Sequence, residues 1–150
     1  MIPKFSKASI AKLAVCHSDL IKLFTQVIRY YDCTIVDSYR TKDEQEKAFK
    51  AGLSEVHYPS YHNCQPCFAV DVAPYQNNHI EWNLKQCMYF NAFVMGIAEM
   101  MFDQEIITHK IITGADWDSD HDIMDTKFID ATHFYIMPLP GEKMNFVSGT

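Results

Sequence analysis

The stretch SYHNCQPCFAVDVAP, residues 60–74, decides the fold, because it places a histidine and an aspartate on either side of a short apolar strand. Side chains of a strand alternate between its two faces, which predicts one apolar face made of Phe68, Val70 and Val72. Asp71 is expected on the opposite face, between two alanines that leave space beside it. We therefore predict that His62 and Asp71 are two of the three ligands of a metal ion.

A second stretch near the C-terminus, DATHFYIMP at residues 130–138, shows the same alternation. His133 is expected on the face opposite to Phe134, and it is the predicted third ligand. A catalytic zinc ion usually takes three protein ligands of the histidine and carboxylate kind, and it acidifies a water at its remaining position. Asp130 precedes His133 by three residues and is placed to act as the general base.

Length and composition favour one globular domain with a full core, since the chain has 150 residues, 48% of them hydrophobic and 21% charged. The net charge of −6, without clusters of Lys and Arg, argues against binding to nucleic acid or to anionic lipid. Residues 1–13 lack the uninterrupted apolar core of a secretory signal, so we expect synthesis in the cytoplasm and no membrane anchor. The five cysteines, an odd number, are expected to be free thiols: Cys16, Cys33, Cys64, Cys67 and Cys87.

The N-terminal third predicts two short helices followed by a strand. Ser9 is expected to cap the first helix and Ser18 the second. Residues 33–39 are rich in β-branched and aromatic types, which predicts a strand that leads to Arg40.

Clear start and stop signals then predict a third helix over residues 42–51. Thr41 and Glu44 have the spacing of a capping box, and Gly52 is expected to end the helix. Further along, residues 82–102 predict a long buried helix and residues 106–113 a strand. The residues from Gly141 onward are expected to form a polar tail.

Two motifs allow other metal sites. Cys64-x-x-Cys67 together with His62 has ligand types at short spacing, but no second paired motif is in the sequence, so we expect no structural zinc site there. An acidic run resembles a calcium-binding loop in composition, without the glycine at the sixth position and the glutamate at the twelfth that an EF-hand needs. We expect a solvated loop, and calcium regulation stays open as an alternative. The run consists of Asp116, Asp118, Asp120, Asp122 and Asp125.

Four blocks of sequence, SYRTKDEQEKAFKAGLS, SYHNCQPCFAVDVAPY, GADWDSD and DATHF, occur in order within residues 34–136. Together they resemble the signature blocks of the single-zinc peptidoglycan peptidases. That family includes D-alanyl-D-alanine carboxypeptidases and the L-alanyl-D-glutamate peptidases that bacteriophages use as endolysins. The resemblance implies an α+β fold of the hedgehog/D-Ala-D-Ala-peptidase type, with helices packed on a small, mostly antiparallel sheet. We expect a single catalytic domain over residues 1–150.

The family's functional residues map onto matching positions of this chain. The resemblance implies that His62, Asp71 and His133 hold one zinc ion, that Asp130 is the base and that Arg40 contacts substrate. Departures from the phage pattern leave these residues in place but affect the preference for substrate. They are Ser38, Ala115, Cys67 and the pair Ala131-Thr132.

Gln45 and Ser60 are expected to bind substrate together with Arg40. The implied reaction is hydrolysis of an amide bond in the peptidoglycan stem peptide. The phage-like GADWD block favours the L-alanyl-D-glutamate bond, cut by a monomeric endolysin that is made in the host cytoplasm and acts on the cell wall. Two alternatives stay open: a D-alanyl-D-alanine carboxypeptidase, and a non-catalytic zinc-binding member of the fold.

Overall fold

The structure is a computed structural model that describes residues 1–147. Its helices are α1 (Lys7–Ala14), α2 (Ser18–Val27), α3 (Lys42–Lys50) and α4 (Leu84–Asp103), with a short 3-10 helix at Tyr61–Asn63. Its strands are β1 (Cys33–Asp37), β2 (Ala69–Gln76), β3 (His79–Ile80), β4 (Ile111–Gly114) and β5 (Asp130–Ile136).

The strands form one antiparallel sheet in the order β1-β2-β5-β4, and β3 pairs with the end of β2. β2 and β5 are neighbours although the 84–103 helix and β4 separate them in sequence. Their register places Asp71 directly opposite His133. The expected α+β fold is confirmed, and the two predicted ligand-bearing strands lie side by side.

One face of the sheet is buried under helices, as the alternation predicted. Val70 and Phe134 are fully buried, and the Phe134 ring packs edge-on against Phe24 of α2 with centroids 5.4 Å apart. Phe90 of α4 belongs to the same core. Burial of one such side chain stabilises a fold by about 1.5–3 kcal/mol. Because the apolar side chains occupy this face, Asp71 and His133 are left on the other.

The predicted start and end of α3 are confirmed. The Thr41 hydroxyl accepts the Glu44 N–H, and the Glu44 carboxylate accepts the Thr41 N–H. Gly52 has a positive φ of 73°, where a side chain would be strained, and its N–H and that of Leu53 bond back to carbonyls of the last turn.

The predicted caps of the first two helices were wrong. Ser6 caps α1, and Ser9 instead lies buried inside the helix, where its hydroxyl accepts the N–H of Ile35 on β1. His17 caps α2, because its Nδ1 accepts the Asp19 N–H at 3.1 Å. A tertiary contact thus occupies the Ser9 hydroxyl, whereas the caps at Ser6 and His17 are local bonds.

The strand predicted over residues 106–113 begins only at Ile111. The residues before it form a turn, since the Asp19 carboxylate accepts the N–H groups of Thr108 and His109. The prediction of a polar tail was also wrong for residues 141–147, because this segment is bonded to the rest of the protein. The Asn145 carbonyl accepts the Gln65 N–H, and the Asn63 carbonyl accepts the Val147 N–H. The rest of that tail, 148–150, lies outside the described residues.

The five cysteines are free and buried, as expected. The Cys67 and Cys16 sulfurs lie 3.3 Å apart, and this hydrogen bond together with burial raises the pKa of the Cys67 thiol. Within residues 1–147, the groups of side chains close enough to hold a metal contain no cysteine. No helix in this range is both long and apolar enough to cross a membrane.

Candidate active site

His62, Asp71 and His133 converge at the centre of the open face of the sheet. His62 comes from the 3-10 helix, Asp71 from β2 and His133 from β5. His133 Nδ1 lies 3.0 Å from Asp71 Oδ1, and His62 Nε2 lies 3.3 Å from His133 Nδ1 and 3.6 Å from Asp71 Oδ1. Three side chains that are distant in sequence therefore point at one space.

The chemistry and spacing of these three atoms fit a zinc ion. The His62 Nδ1 lies 2.6 Å from the Ser38 carbonyl, which requires a proton on Nδ1 and leaves the lone pair of Nε2 free. Two imidazoles and a carboxylate form a common donor set of catalytic zinc. A tetrahedral ion with bonds of about 2.0–2.1 Å separates its ligand atoms by about 3.3 Å, close to the observed distances.

Arg40 anchors the Asp71 carboxylate. Its Nη2 donates to Asp71 Oδ2 at 2.9 Å, which leaves Oδ1 to face the two histidines. Burial alone would raise the pKa of Asp71, but His62 and His133 together hold it well below its ordinary value. The carboxylate is therefore ionised, as a metal ligand must be.

The other guanidinium nitrogens of Arg40 also have partners within the protein. Nε donates to Asp37 Oδ2 at 2.5 Å, and Nη1 donates to Gln45 Oε1 at 3.3 Å. Arg40 was predicted to contact substrate. In the structure its side chain lies between Asp37 and Asp71 and forms an ion pair with each.

Gln45 has no exposed surface, and its side chain connects α3 to the loop at residues 53–60. Its Nε2 donates to the Ser54 hydroxyl and the Val56 carbonyl, while its Oε1 accepts from Arg40 and from the Ser60 hydroxyl. Ser60 also caps the 3-10 helix that carries His62, since its hydroxyl accepts the His62 N–H. The side chains of Gln45 and Ser60 thus connect Arg40, the loop at residues 53–60 and the 3-10 helix that carries His62.

Asp130 lies at the start of β5 and lines the same space as the three predicted ligands. Burial and the neighbouring Asp71 charge raise the pKa of the Asp130 carboxyl. The Thr132 hydroxyl donates to Oδ1 at 3.2 Å. Gly114 of β4 packs so closely that an added Cβ would lie 2.4 Å from the Asp130 carbonyl oxygen. The backbone here allows no side chain at position 114.

A cleft runs across the site and extends to both sides of it. Two cavities, of about 410 and 450 Å³, share a common floor. The shared residues are Arg40, Leu53, Asp71, Phe128 and Asp130. The first cavity, called here the loop end, is also lined by residues 54–56 and 59–61, Met144 and Phe146. The second, called here the Trp82 end, is also lined by Trp82, Leu84 and Thr132.

Several residues of the loop end were missed by the sequence reasoning. Tyr61 and Tyr135 stack with centroids 4.9 Å apart, and the Trp117 ring lies 5.5 Å from that of His133. The GADWD block contained the signal for Trp117. Met144 and Phe146 belong to no motif, so nothing in the sequence indicated their place on the cleft wall.

The acidic loop between β4 and β5 contains a second group of potential ligands, Asp116, Asp118 and Asp120. Asp116 is only 7% exposed, and its Oδ1 is buried without a hydrogen-bond partner among the described residues. Its Oδ2 accepts the N–H of His121, which has a positive φ of 70°. His121 therefore adopts the backbone conformation that the missing sixth-position glycine would favour.

Comparison with known proteins agrees with this geometry. The family model described as phage L-alanyl-D-glutamate peptidase matches residues 1–137. The chain is 29% identical over 126 residues to the L-alanyl-D-glutamate peptidase of Escherichia phage T5, a match that covers 81% of this chain and 87% of that protein. Its fold is similar to that of the Serratia marcescens L-Ala D-Glu endopeptidase ChiX, with a TM-score of 0.66 and 20% identity over 89% of this chain and 90% of that one. With nearly its whole length matched by the family model, this chain belongs to the phage L-alanyl-D-glutamate peptidase family.

Proposed function

We propose that the chain is a zinc-dependent endopeptidase that hydrolyses the L-alanyl-D-glutamate bond of the peptidoglycan stem. The observation that carries the proposal is the spacing of His62 Nε2, Asp71 Oδ1 and His133 Nδ1, 3.0–3.6 Å apart. Family membership and the name of the phage T5 relative support the choice of bond. These three residues would hold one zinc ion.

Asp130 is the proposed general base. A bound zinc ion polarises the scissile carbonyl and lowers the pKa of its water towards about 7. Because Thr132 occupies Oδ1 of Asp130, its Oδ2 is the atom available to accept the proton from water and pass it to the leaving amine. Burial raises the pKa of Asp130, which makes the carboxylate a better proton acceptor, as a group that takes a proton from water must be.

Arg40 is proposed to serve both the metal site and the substrate. Its contacts with Asp37 and Asp71 are short, whereas Nη1 lies 3.3 Å from Gln45. A carboxylate of the stem peptide could replace this weakest contact, since a guanidinium binds carboxylates through paired N–H groups. Ser60, which lines the loop end and whose hydroxyl also bonds to Gln45 and to the His62 N–H, is the proposed second polar contact.

The shape of the cleft favours an endopeptidase over a D-alanyl-D-alanine carboxypeptidase. An endopeptidase must hold peptide on both sides of the bond that it cuts, and two cavities with different walls adjoin Asp130. A carboxypeptidase needs room for only one terminal residue on the leaving side. The presence of Asp130 favours a catalytic protein over a non-catalytic zinc-binding one.

The test is digestion of purified peptidoglycan, with the products identified by mass spectrometry. We expect new D-glutamate amino termini and stem peptides released from the glycan. Release of a single terminal alanine would instead identify a carboxypeptidase. Asp130→Ala should keep stoichiometric zinc, measured by elemental analysis, and lose hydrolysis; full activity in this variant would show that the assigned base is wrong.

We also propose that the acidic loop binds calcium. The favouring observation is Asp116, whose buried Oδ1 has no partner among residues 1–147, beside two further carboxylates. Calcium prefers such oxygen ligands. The Trp117 ring contacts the His133 ring, and its Nε1 donates to the Phe128 carbonyl, so an ordered loop would fix one wall of the cleft. Lys127 stands where an EF-hand has its bidentate glutamate, which predicts a weak site with a Kd on the order of 10⁻⁴–10⁻³ M.

Calcium titration tests this second proposal. Isothermal titration should show binding heat that Asp116→Asn removes and that Asp103→Asn, at an exposed site on α4, leaves in place. Peptidase activity should rise with calcium over the same concentration range. Titration without heat and without a change in activity would dispose of the proposal.

The proposed setting is phage-mediated lysis. The chain would be synthesised in the host cytoplasm, would act as a monomer, and would reach its peptidoglycan substrate once the membrane is opened. Analytical ultracentrifugation at micromolar concentration tests the oligomeric state, for which we expect one species near 17.4 kDa.

A further inference from the structure

We propose that Trp82 forms a subsite for the muramyl sugar that carries the stem peptide. This inference rests on the proposed function, because it concerns the substrate on one side of the same scissile bond. Trp82 lines the Trp82 end of the cleft, whose floor includes Asp71 and Asp130.

The Trp82 ring is exposed although its backbone is held firmly. The side chain is 58% exposed, and that of the neighbouring Leu84 is 56% exposed. Asn83 caps α4 by accepting the Gln86 N–H, and the Glu81 carboxylate accepts the Asn83 N–H at 2.7 Å. The Glu81 N–H in turn donates to the Pro74 carbonyl at 2.8 Å. A large apolar ring is therefore presented to solvent from a fixed segment at the edge of the cleft.

The aromatic residues of the loop end differ from Trp82 because they pack on one another. Tyr61 stacks on Tyr135, and Trp117 contacts both Tyr135 and His133. Among residues 1–147, the Trp82 ring has no aromatic partner and its Nε1 has no hydrogen-bond acceptor. Its ring face and its N–H are both available for a ligand that is partly apolar and partly polar.

The chemistry of the substrate selects which end of the cleft holds the sugar. The stem begins with L-alanine, whose nitrogen is joined through a lactyl group to N-acetylmuramic acid within a glycan chain. A pyranose ring stacks on an aromatic face that has no partner, which the Trp82 end offers and the loop end, whose rings pack on one another, does not. The stem beyond D-glutamate, a single short peptide, is then assigned to the loop end.

Size and contacts agree with this orientation. The alanyl and lactyl units that separate the sugar from the scissile bond together span roughly 7 Å, two residue lengths. The cavity of about 450 Å³ that joins Asp130 to Trp82 has room for them. The apolar face of a pyranose ring can then stack on the indole, and the indole N–H can donate to a substituent of the sugar.

The test compares two substrates that share one peptide. One is N-acetylmuramyl-L-alanyl-D-glutamyl-diaminopimelate, and the other is the same tripeptide with an acetyl group in place of the sugar and lactyl unit. We expect the zinc-loaded wild type to cut the first with the higher kcat/KM. Trp82→Ala should lower the ratio of the two kcat/KM values about tenfold, the loss of one aromatic stacking contact. Trp82→Phe keeps a flat ring and should keep most of the ratio.

A matched control is Tyr30→Ala, which removes an equally exposed aromatic ring outside the cleft and should leave the ratio within about twofold. A Trp82→Ala variant that cuts both substrates with the wild-type ratio would overturn the proposal. So would a variant that loses only activity on the sugar-free peptide, since Trp82 would then face the peptide side. If wild-type protein cuts neither substrate, the proposed function itself is wrong.

Discussion

The orientation of Asp71 as a candidate metal ligand is fixed because its two carboxylate oxygens have different neighbours. Arg40 takes Oδ2, and the two histidines face Oδ1. A carboxylate so placed cannot rotate freely, and partners of metal ligands commonly contribute 10–100-fold to metal affinity. The orientation of Asp71 thus depends on Arg40, which is not itself one of the predicted metal ligands.

Replacement of Arg40 separates its two proposed roles. Arg40→Ala should weaken zinc binding by about 10–100-fold, measured by competition with a chelating dye, because Asp71 loses its anchor. Arg40→Lys keeps the charge but not the planar fork, so its zinc affinity should lie in between. Wild-type zinc affinity together with lost peptidase activity would instead assign Arg40 to substrate alone.

Gly114 is required by the close approach of Asp130. In Gly114→Ala the new Cβ would lie 2.4 Å from the Asp130 carbonyl oxygen and 2.9 Å from the Asp130 Cβ, so the base must shift. We expect a loss of about 1–3 kcal/mol in the free energy of unfolding, measured with urea, and a loss of activity.

Gly96 of α4 provides the control for this substitution. Nothing lies within 4 Å of an added Cβ there. Gly96→Ala should stabilise the protein by up to about 1 kcal/mol, because alanine is the better helix former. Equal effects of the two substitutions would contradict the steric argument at Gly114.

At the scale of elements, α3 and the loop at residues 53–60 form one unit around the buried amide of Gln45. Four hydrogen bonds connect this amide to Ser54, Val56, Ser60 and Arg40. One side chain therefore supports both a wall of the cleft and the segment that leads to His62.

Gln45→Leu tests whether this support is structural. Leucine fills a similar volume but leaves buried polar partners unpaired, which should cost about 1–3 kcal/mol of unfolding free energy in urea. Gln104→Leu, at an exposed position, should change stability by less than about 0.5 kcal/mol. A Gln45→Leu variant with wild-type stability and a raised KM would make Gln45 a substrate contact instead.

Elements with a strong local signal were predictable from the sequence. The alternation around Asp71 and His133, the capping box of α3 and the long α4 all lie where local patterns placed them. Ser9 and His17 were not predictable in their roles, because β1 takes the Ser9 hydroxyl and histidine is not among the usual N-cap residues. The β4 boundary likewise depends on Asp19, which is remote in sequence.

At the scale of the whole molecule, a buried histidine connects the two ends of the chain. This residue, His109, lies between Asp19 Oδ2 and Glu142 Oε2, each 2.7 Å from a ring nitrogen. Both nitrogens can donate only if the ring is protonated. Burial lowers the pKa of His109, but the bonds to Asp19 and Glu142 outweigh it and raise the pKa above 6.5.

This arrangement predicts how stability depends on pH. A raised folded-state pKa means that the stabilisation from His109 is complete below its unfolded pKa and is lost as the pH rises through the folded one. The pKa values of Asp19 and Glu142 are lowered, so their contribution is lost at acid pH. Urea unfolding should therefore show stability falling as the pH rises above about 6.5, the ordinary pKa of histidine.

His109→Gln should flatten this fall, because neutral glutamine does not titrate. His79→Gln, at a largely exposed position on β3, is the control and should keep the wild-type slope. The neighbouring His17 ring, 4.6 Å from His109, has a pKa lowered by burial and by His109, so it loses its proton at a lower pH than His109 does. A slope that His109→Gln leaves unchanged would assign the pH dependence elsewhere.

The segment after Glu142 has a practical consequence for protein engineering. Val147 donates its N–H to Asn63, one residue after His62, and its carbonyl accepts the Tyr58 hydroxyl at 3.3 Å. A tag or a cell-wall-targeting module that displaced residues 145–147 would therefore disturb the segment that carries His62. The exposed Met1 is the better attachment point, and antibacterial chimeras should carry their added module there.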